Sequence, residues 1–251
     1  MMELEWRKST AQTISRMSFK AIGQVSTSLG GNEVKQNLAT MERLIRKHGK
    51  GAAENERVDM LAFCELFVNG YGSGLTHITT TADQLLTGPL FCHLTPLCIE
   101  FEVAVVVGYT EKHNERLFNS AVLIDKTGCV LANYQKTHLW GEMEQRFFQH
   151  GEQLLPPVPF ANLKIGLLIC FDVEFPETVR TLAKLGADLV IVCLHFPLTR
   201  HLHSPLHSFY LITSNSPVQV PTALASDNGF NAKVTVPSRF SSFTPLYLHR
   251  P

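Results

Sequence analysis

The sequence predicts an α/β fold with a mixed sheet, and two observations support this prediction. From about Phe19 onward, short apolar runs alternate with helical stretches, and strands separated by helices are typical of α/β domains. Two of the apolar runs, 118–125 and 130–136, are separated by residues 126–128, Lys-Thr-Gly, which form a tight-turn signal. The two runs therefore form a predicted hairpin, and its antiparallel pairing makes the sheet mixed rather than purely parallel.

The predicted helices are marked by apolar residues that recur at helical spacing. The first helix spans 33–48 and ends before Gly49, and its apolar face is formed by Val34, Leu38, Met41, Leu44 and Ile45. A second helix is predicted over about residues 81–98, where two prolines interrupt the pattern. A third is predicted over 176–185, because Pro176 is suited to the first turn of a helix. The remaining strands are predicted at 19–26, 58–64, 103–109, 164–173 and 187–194.

The composition is that of an ordinary globular protein, with 45% hydrophobic and 18% charged residues. A length of 251 residues suits one large domain, or one domain and a tail. Lysine plus arginine (22) balances aspartate plus glutamate (22), so no net field attracts nucleic acid or an anionic membrane surface. No apolar run approaches the roughly 20 residues of a membrane helix. We therefore expect neither nucleic acid nor membrane as a partner.

The cysteines and the N-terminal residues bear on the cellular compartment. The six cysteines form no C-x-x-C pair and mostly lie in apolar runs, which predicts reduced thiols in a reducing compartment. The first 17 residues contain no apolar stretch of the secretory type. Glu3 and Glu5 disfavour a mitochondrial targeting segment. The expected location is cytoplasmic.

The texture of the sequence changes abruptly after about Val192. Residues 193–251 are rich in serine, proline and histidine, and Asp227 is their only acidic residue. This composition predicts a loosely ordered tail. The sequence thus predicts three parts, which are an N-terminal extension over 1–17, a main domain over 18–192 and a divergent tail over 193–251.

A cysteine at the end of a predicted strand is the sharpest candidate for chemistry. Cys170 ends an apolar strand and precedes the helix that begins at Pro176. A strand-to-helix turn aims backbone N–H groups and the positive end of the helix at the thiol, which favours a thiolate and stabilises an oxyanion. Taken alone, a cysteine in such a strand is more often an inert core thiol.

Two further candidates lie at the ends of other predicted strands. Glu65 directly follows the apolar strand 58–64, where partial desolvation suits a carboxylate to general-base work. Lys136 ends the strand 130–136 and supplies a positive charge for a thiolate or an oxyanion. Taken alone, each is more often a solvated surface residue. A base, a cation and a thiol at the carboxyl ends of three strands together predict an active site, because α/β folds usually place active sites there.

Three ordered motifs resemble the nitrilase, or carbon–nitrogen hydrolase, superfamily. Residues 166–192 (GLLICFDVEFPETVRTLAKLGADLVIV) resemble its nucleophile region, 134–151 (YQKTHLWGEMEQRFFQHG) its lysine motif, and 65–72 (ELFVNGYG) its glutamate motif. The resemblance covers about residues 18–192. It implies the four-layer α-β-β-α sandwich of the superfamily, a homo-oligomer that is a dimer or larger, and a site that needs no metal or organic cofactor.

The resemblance also implies a role for each matching residue. Cys170 would attack the substrate carbon, and Glu65 would take and return protons. Lys136 would polarise the tetrahedral oxygen together with the backbone N–H of Phe171. Glu144 matches an accessory glutamate of the superfamily and would orient Lys136 and the leaving group. The motifs resemble amidases more than true nitrilases, so the implied substrate is a small amide, with carbamoyl compounds and nitriles as further possibilities, and ammonia or an amine is released.

The chain departs from the superfamily pattern in three places. Cys64 stands where proline is usual, and Phe171 stands where tyrosine is frequent. After Val192 the expected loop, long helix and late strands are missing or replaced. An inactive, truncated isoform that binds or regulates an intact subunit is therefore the alternative to an active enzyme. Glu142 is a second, poorer match to the accessory glutamate.

Two other kinds of site are weaker alternatives. A metal site would use the cysteine and histidines of the tail, which are Cys193, His195, His201, His203 and His207. Their spacing is irregular and acids that could support the imidazoles are missing from this segment. A cysteine enzyme of the glutamine-amidotransferase type would need a catalytic histidine, for which His138 is the candidate in the main domain.

Overall fold

The structure is a computed structural model that describes residues 19–22, 33–71, 74–194, 209–213, 216–220 and 230–232. These residues contain eleven strands in two sheets, together with five α-helices. The strands are β1 (Phe19–Ile22), β2 (Met60–Phe63), β3 (Ala104–His113), β4 (Arg116–Ile124), β5 (Val130–Gln135), β6 (Val158–Phe160), β7 (Leu163–Ile169), β8 (Leu189–Cys193), β9 (Phe209–Thr213), β10 (Ser216–Val220) and β11 (Phe230–Ala232). The helices are α1 (Glu33–His48), α2 (Leu75–Thr81), α3 (Pro89–Phe101), α4 (Gly141–Phe147) and α5 (Pro176–Lys184).

The first sheet has six strands in the order β11-β1-β2-β3-β4-β5. Strands β1, β2 and β3 are parallel, whereas β3, β4 and β5 form an antiparallel meander. The hairpin between β4 and β5 closes through Gly128, whose N–H donates to the carbonyl of Asp125 at 2.9 Å and whose φ is +81°. The predicted hairpin and the predicted mixed sheet are both confirmed.

The second sheet has five strands in the order β10-β9-β8-β7-β6, and its central strands β7 and β8 are parallel. Strand β7 contacts β4 and β5 of the first sheet. On its other side, Leu182 of α5 packs against Gly166 of β7 and Val190 of β8. Helix α3 covers the far face of the first sheet. The layers of the molecule therefore follow in the order helix, sheet, sheet, helix.

Alternation along the strands decides which side chains enter the space between the sheets. Tyr109 of β3 packs edge-on against Phe91 of α3, with ring centroids 5.6 Å apart, so this face of the first sheet is covered by a helix. Neighbouring residues on a strand point to opposite faces. Thr110, and Asn119 that pairs with it on β4, therefore face the second sheet. This inner face carries the polar residues of the site described below.

Two of the predicted elements need correction, and two further elements are not predicted. The predicted helix over 81–98 is wrong in its bounds, because a short helix ends at Thr81 and a separate helix begins at Pro89. Proline is favoured in the first turn because its missing N–H would have no helical partner there. The predicted strand over 164–173 ends at Ile169, since the chain then enters a 3₁₀ turn over Cys170–Glu174. Helix α4 and the short strand β6 are not predicted by the sequence patterns.

Three short strands lie in the segment 193–251, and the sequence analysis does not predict them. Strand β9 pairs antiparallel with β8, β10 pairs with β9, and β11 pairs with β1. Two of them thus extend the second sheet and one extends the first. The boundary at residue 193 stays a prediction, and the extension over 1–17 lies outside the described residues. None of the helices in the described part of the chain combines the length and the hydropathy needed to cross a bilayer.

Candidate active site

Glu65 lies in a tight turn directly after β2. The side chain is 1% exposed, and the next residue, Leu66, has φ +48°. Gly108 of β3 passes against this turn and donates its N–H to the carbonyl of Cys64 at 3.2 Å. Cys64, which stands where the superfamily usually has proline, is buried and holds the turn through its backbone. The turn directs Glu65 away from the first sheet and into the space between the sheets.

Replacing Gly108 by alanine is expected to displace Glu65. A Cβ atom at this position would lie 2.5 Å from Leu66 N, 2.6 Å from Cys64 O and 2.7 Å from Glu65 Cα, so backbone must move. We expect a loss of about 1–3 kcal/mol in the free energy of unfolding and a fall of about 10- to 100-fold in kcat. Denaturant unfolding and ammonia release measure the two effects. In the control variant, Gly74→Ala, the added Cβ meets nothing within 4 Å, and wild-type behaviour is expected.

Lys136 follows the end of β5 and is fully buried. Its Nζ donates to Glu65 Oε1 at 2.6 Å and contacts both oxygens of Glu144, at 2.9 Å from Oε1 and 2.8 Å from Oε2. The backbone of this residue is held on both sides, since its N–H donates to Asn119 O at 2.9 Å and its carbonyl accepts from Gly151 N at 2.8 Å. The lysine is thus fixed between two carboxylates.

Neighbouring negative charges keep Lys136 protonated. Burial alone lowers the pKa of the ammonium, but the negative charges of Glu65, Cys170 and Glu144 outweigh burial and raise the pKa above its ordinary value. Lys136 therefore stays protonated throughout the neutral range. A buried cation of this kind is available to stabilise a thiolate or an oxyanion.

Glu144 is presented by α4 and is fully buried. Besides Lys136, it accepts hydrogen bonds from Tyr71 OH at 2.7 Å and from the backbone N–H of Trp140 at 2.9 Å. Burial and the nearby charge of Glu65 raise the pKa of Glu144 above its ordinary value. Both oxygens nevertheless face donors, which makes Glu144 the more completely hydrogen-bonded of the two carboxylates.

Glu65 is hydrogen-bonded through one oxygen only. Its Oε1 accepts from Lys136 Nζ and from Asn119 Nδ2, the latter at 2.8 Å. Among the described residues, Oε2 has no hydrogen-bond partner although it is buried. A buried acceptor without a partner favours contact with a hydrogen-bond donor. Oε2 therefore has an open bonding position, as does Asn119 Oδ1 beside it.

Cys170 lies at the turn between β7 and the 3₁₀ segment, and it is partly exposed. Its φ of +44° is in the left-handed region, which is unusual for a residue other than glycine. Cys170 lies close enough to Lys136 and Tyr71 that a thiolate at this position raises the pKa of both groups. Phe171, predicted to offer its backbone N–H, follows in the same turn. The structure thus brings together all the predicted site residues.

Asp172 is a buried residue of the site that the sequence analysis does not identify. Its Oδ2 accepts from Tyr134 OH at 2.8 Å and from Ile169 N at 3.1 Å. Its Oδ1 accepts from Thr137 Oγ1 at 3.0 Å and from the N–H and Nδ1 of His138, both at 2.9 Å. No local sequence pattern links Asp172, Asn119 or Tyr71 to the residues that they bind, so the sequence does not reveal any of the three as site residues.

The two weaker alternatives receive no support from the described residues. In the part of the chain that the structure describes, no group of three or more histidine, cysteine, aspartate or glutamate side chains is arranged to hold a metal ion. Cys193 is fully buried in β8, and burial raises its pKa well above the ordinary value. The histidines of the tail proposed as its co-ligands lie outside the described residues. His138, the amidotransferase candidate, binds Asp172 and stacks on Phe175, with ring centroids 3.9 Å apart.

The fold and the site together define an α/β protein of the hydrolase type, with a glutamate–lysine–cysteine constellation between two sheets. The family model described as "Carbon-nitrogen hydrolase" matches residues 21–237. The chain belongs to the carbon–nitrogen hydrolase family.

Individual relatives agree with this assignment. The chain is 32% identical over 190 residues to a protein of Pseudomonas protegens named "Hydrolase in pqqF 5'region", covering 75% of this chain and 66% of the relative. It is 40% identical over 134 residues to an (R)-stereoselective amidase of a Pseudomonas species, covering 53% of this chain and 47% of the relative. The chain thus spans about half to two thirds of the length of these curated relatives.

A solved structure shares the fold. The NitN amidase of Nesterenkonia sp. AN1 superposes with a TM-score of 0.61 at 28% sequence identity, covering 71% of this chain and 67% of that chain. The predicted nitrilase-like α/β fold is thereby confirmed.

Proposed function

We propose that this chain hydrolyses small amides through a covalent intermediate on Cys170. The observation that carries the proposal is the buried Lys136 ammonium. It binds Glu65 and Glu144, and its pKa is raised in part by the charge of a thiolate at Cys170. An amide carbon is a poor electrophile, so its hydrolysis benefits from a strong nucleophile, a base and a cation held together. The amidases among the relatives support amides, rather than nitriles, as the substrate class.

In the acylation step, Glu65 Oε2 takes the proton of the Cys170 thiol, and the sulfur attacks the carbonyl carbon. The carbonyl electron pair moves onto oxygen, where Lys136 Nζ and the backbone N–H of Phe171 stabilise the oxyanion. When the oxyanion collapses, the carbon–nitrogen bond breaks and Glu65 gives its proton to the leaving nitrogen. The products of this step are ammonia or an amine and a thioester on Cys170.

In the deacylation step, Glu65 removes a proton from a water molecule, and the oxygen attacks the thioester carbon. The carbon–sulfur bond breaks, and the proton returns to the sulfur of Cys170. The sum of both steps converts an amide and water into a carboxylic acid and ammonia or an amine. The balance involves no change of oxidation state.

The two carboxylates divide the work according to their hydrogen bonds. Both oxygens of Glu144 face donors, so a proton placed on Glu144 would displace one of them. Glu65 Oε2 has no partner among the described residues and accepts a proton without such a loss. Glu65 is thus the proton carrier, and Glu144 orients Lys136.

Ammonia release tests this proposal directly. Purified protein is incubated with acetamide, propionamide, an N-carbamoyl amine and propionitrile, and ammonia is measured. We expect turnover of the amides, slower or no turnover of the nitrile, and a fall of at least about 10³-fold in Cys170→Ser. Cys129→Ser, which changes an exposed cysteine of the β4–β5 hairpin, is the matched control.

Two outcomes would count against the proposal. Equal activity of wild type and Cys170→Ser would exclude Cys170 as the nucleophile. A folded wild type that turns over no substrate would favour the alternative of an inactive binding subunit. The homo-oligomeric assembly and the cytoplasmic location expected from the sequence stay predictions.

A further inference from the structure

The Asp172 carboxylate joins the two strands that carry the lysine and the cysteine. Tyr134 and Thr137, which flank Lys136 in sequence, both donate to it, and so does Ile169, the residue before Cys170. Each of these three groups donates to the carboxylate, which accepts on both of its oxygens. The Asp172 side chain therefore links the segment that carries Lys136 to the segment that carries Cys170.

The turn at Cys170 needs such a restraint. A left-handed backbone at a residue other than glycine costs about 1–3 kcal/mol and persists only when its surroundings enforce it. The bond from Ile169 N to Asp172 Oδ2, at 3.1 Å, closes a short ring that contains Cys170. The opposite oxygen, Oδ1, is held by residues of the lysine segment. If the hydrogen bonds of Asp172 are weakened, the backbone that orients the Cys170 thiol is held less firmly.

His138 contacts the turn at two points. Its Nδ1 lies 2.9 Å from Asp172 Oδ1, and its ring stacks on Phe175 with a centroid distance of 3.9 Å and an interplanar angle of 21°. Phe175 in turn packs edge-on against Phe171, with centroids 5.2 Å apart. The imidazole therefore reaches from the lysine segment to the middle of the turn, at Asp172, and to the residue that ends it, Phe175.

We propose that His138 is a positioning residue that, acting through Asp172, holds the Cys170 thiol at its working distance from Lys136. The inference rests on the proposed function, because it assigns a role in assembling that same site. His138 acts through the hydrogen bond from its Nδ1 to Asp172. Stacking on Phe175 orients the imidazole ring for this hydrogen bond. Tyr134 supports Asp172 from the opposite oxygen, and burial together with the charge of Asp172 raises the pKa of Tyr134, so it remains a donor.

Two substitutions at His138 separate the hydrogen bond from the ring. His138→Phe keeps a ring that can stack on Phe175 but removes the donor, whereas His138→Asn keeps a donor near the Nδ1 position. The rate of Cys170 alkylation by iodoacetamide is measured by mass spectrometry, and kcat and KM are measured for a small amide. We expect His138→Phe to lower both the alkylation rate and kcat by about 10- to 100-fold, with KM changed less than threefold. His138→Asn is expected to recover most of both losses.

Two further variants complete the experiment. His113→Phe changes an exposed histidine of the β3–β4 hairpin and is expected to behave as wild type. Tyr134→Phe removes one hydroxyl from the other side of Asp172 and is expected to slow alkylation in the same direction. If His138→Phe does not fold, Tyr134→Phe still tests the proposal. Melting temperatures identify variants that are merely unstable.

The possible results are distinct. Wild-type alkylation in a folded His138→Phe would overturn the proposal, as would a His138→Asn variant as slow as His138→Phe. A rise in KM with unchanged alkylation would also overturn it, because His138 would then contact substrate instead of positioning the thiol. Since alkylation needs no substrate, a failure of the proposed amidase activity would leave this readout intact.

Discussion

Replacement of Glu65 by glutamine is expected to lower kcat for amide hydrolysis by about 10³- to 10⁴-fold while the chain stays folded. A glutamine amide can fit the existing contacts, because its oxygen can occupy the Oε1 position that faces Lys136 and Asn119. Its NH₂ group would then occupy the Oε2 position, which has no partner among the described residues. The variant keeps the shape of the site but cannot carry the proton.

Three measurements check this expectation. Steady-state ammonia release reports kcat, and circular dichroism reports the fold. Mass spectrometry after incubation with acrylamide reports whether Cys170 still reacts, because a reactive thiolate adds to the terminal alkene carbon of acrylamide. We expect a single adduct per chain that disappears when Cys170 is also replaced by alanine.

Glu142→Gln is the matched control for Glu65→Gln. Glu142 lies on the same helix as Glu144 but is exposed, and its replacement is expected to change kcat less than twofold. If Glu65→Gln retained more than about a tenth of the wild-type kcat, the role of Glu65 as proton carrier would have to be abandoned.

Replacement of Lys136 by methionine is expected to have the largest effect on stability. It leaves the carboxylates of Glu65 and Glu144 buried without their cation, and removing one partner of a buried ion pair costs about 3–5 kcal/mol. Amide hydrolysis should also be lost, since the oxyanion loses its charged donor. Urea unfolding measures the free energy of unfolding, and ammonia release measures the activity.

A double substitution tests the reason for this loss. Adding Glu144→Gln to Lys136→Met removes one of the two stranded charges, so the double variant should be more stable than Lys136→Met alone, without recovering activity. Lys126→Met, at an exposed hairpin position, is the control and should stay within about 0.5 kcal/mol of wild type. A Lys136→Met variant as stable as this control would show that the buried charges are compensated in another way.

Local sequence was sufficient to predict where the reactive groups lie along the chain. Glu65, Lys136 and Cys170 each follow an apolar run whose end is visible in the sequence, and α/β folds usually place active sites at the ends of such strands. Packing of the two sheets is what brings Cys170, which follows β7, to Glu65 and Lys136 of the first sheet. The first helix and the β4–β5 hairpin were predictable for similar reasons, because a helical repeat and a glycine turn are short-range signals. Glu144 was predictable only through the resemblance to a family, since its helix, α4, is too short to show a clear helical repeat in the sequence.

The sequence by itself determined the order of the longer strands and helices up to β8 and the identity of the reactive groups, because these follow from apolar periodicity and turn residues within a few positions. Only the tertiary structure decided how the groups are held. Asn119 binds Glu65 across 54 residues of sequence, and Tyr134 binds Asp172 across 38. No local pattern encodes such pairs, since they form only when two sheets pack and exclude water from the polar groups between them. The same packing makes Lys136 a fully buried cation instead of a surface one.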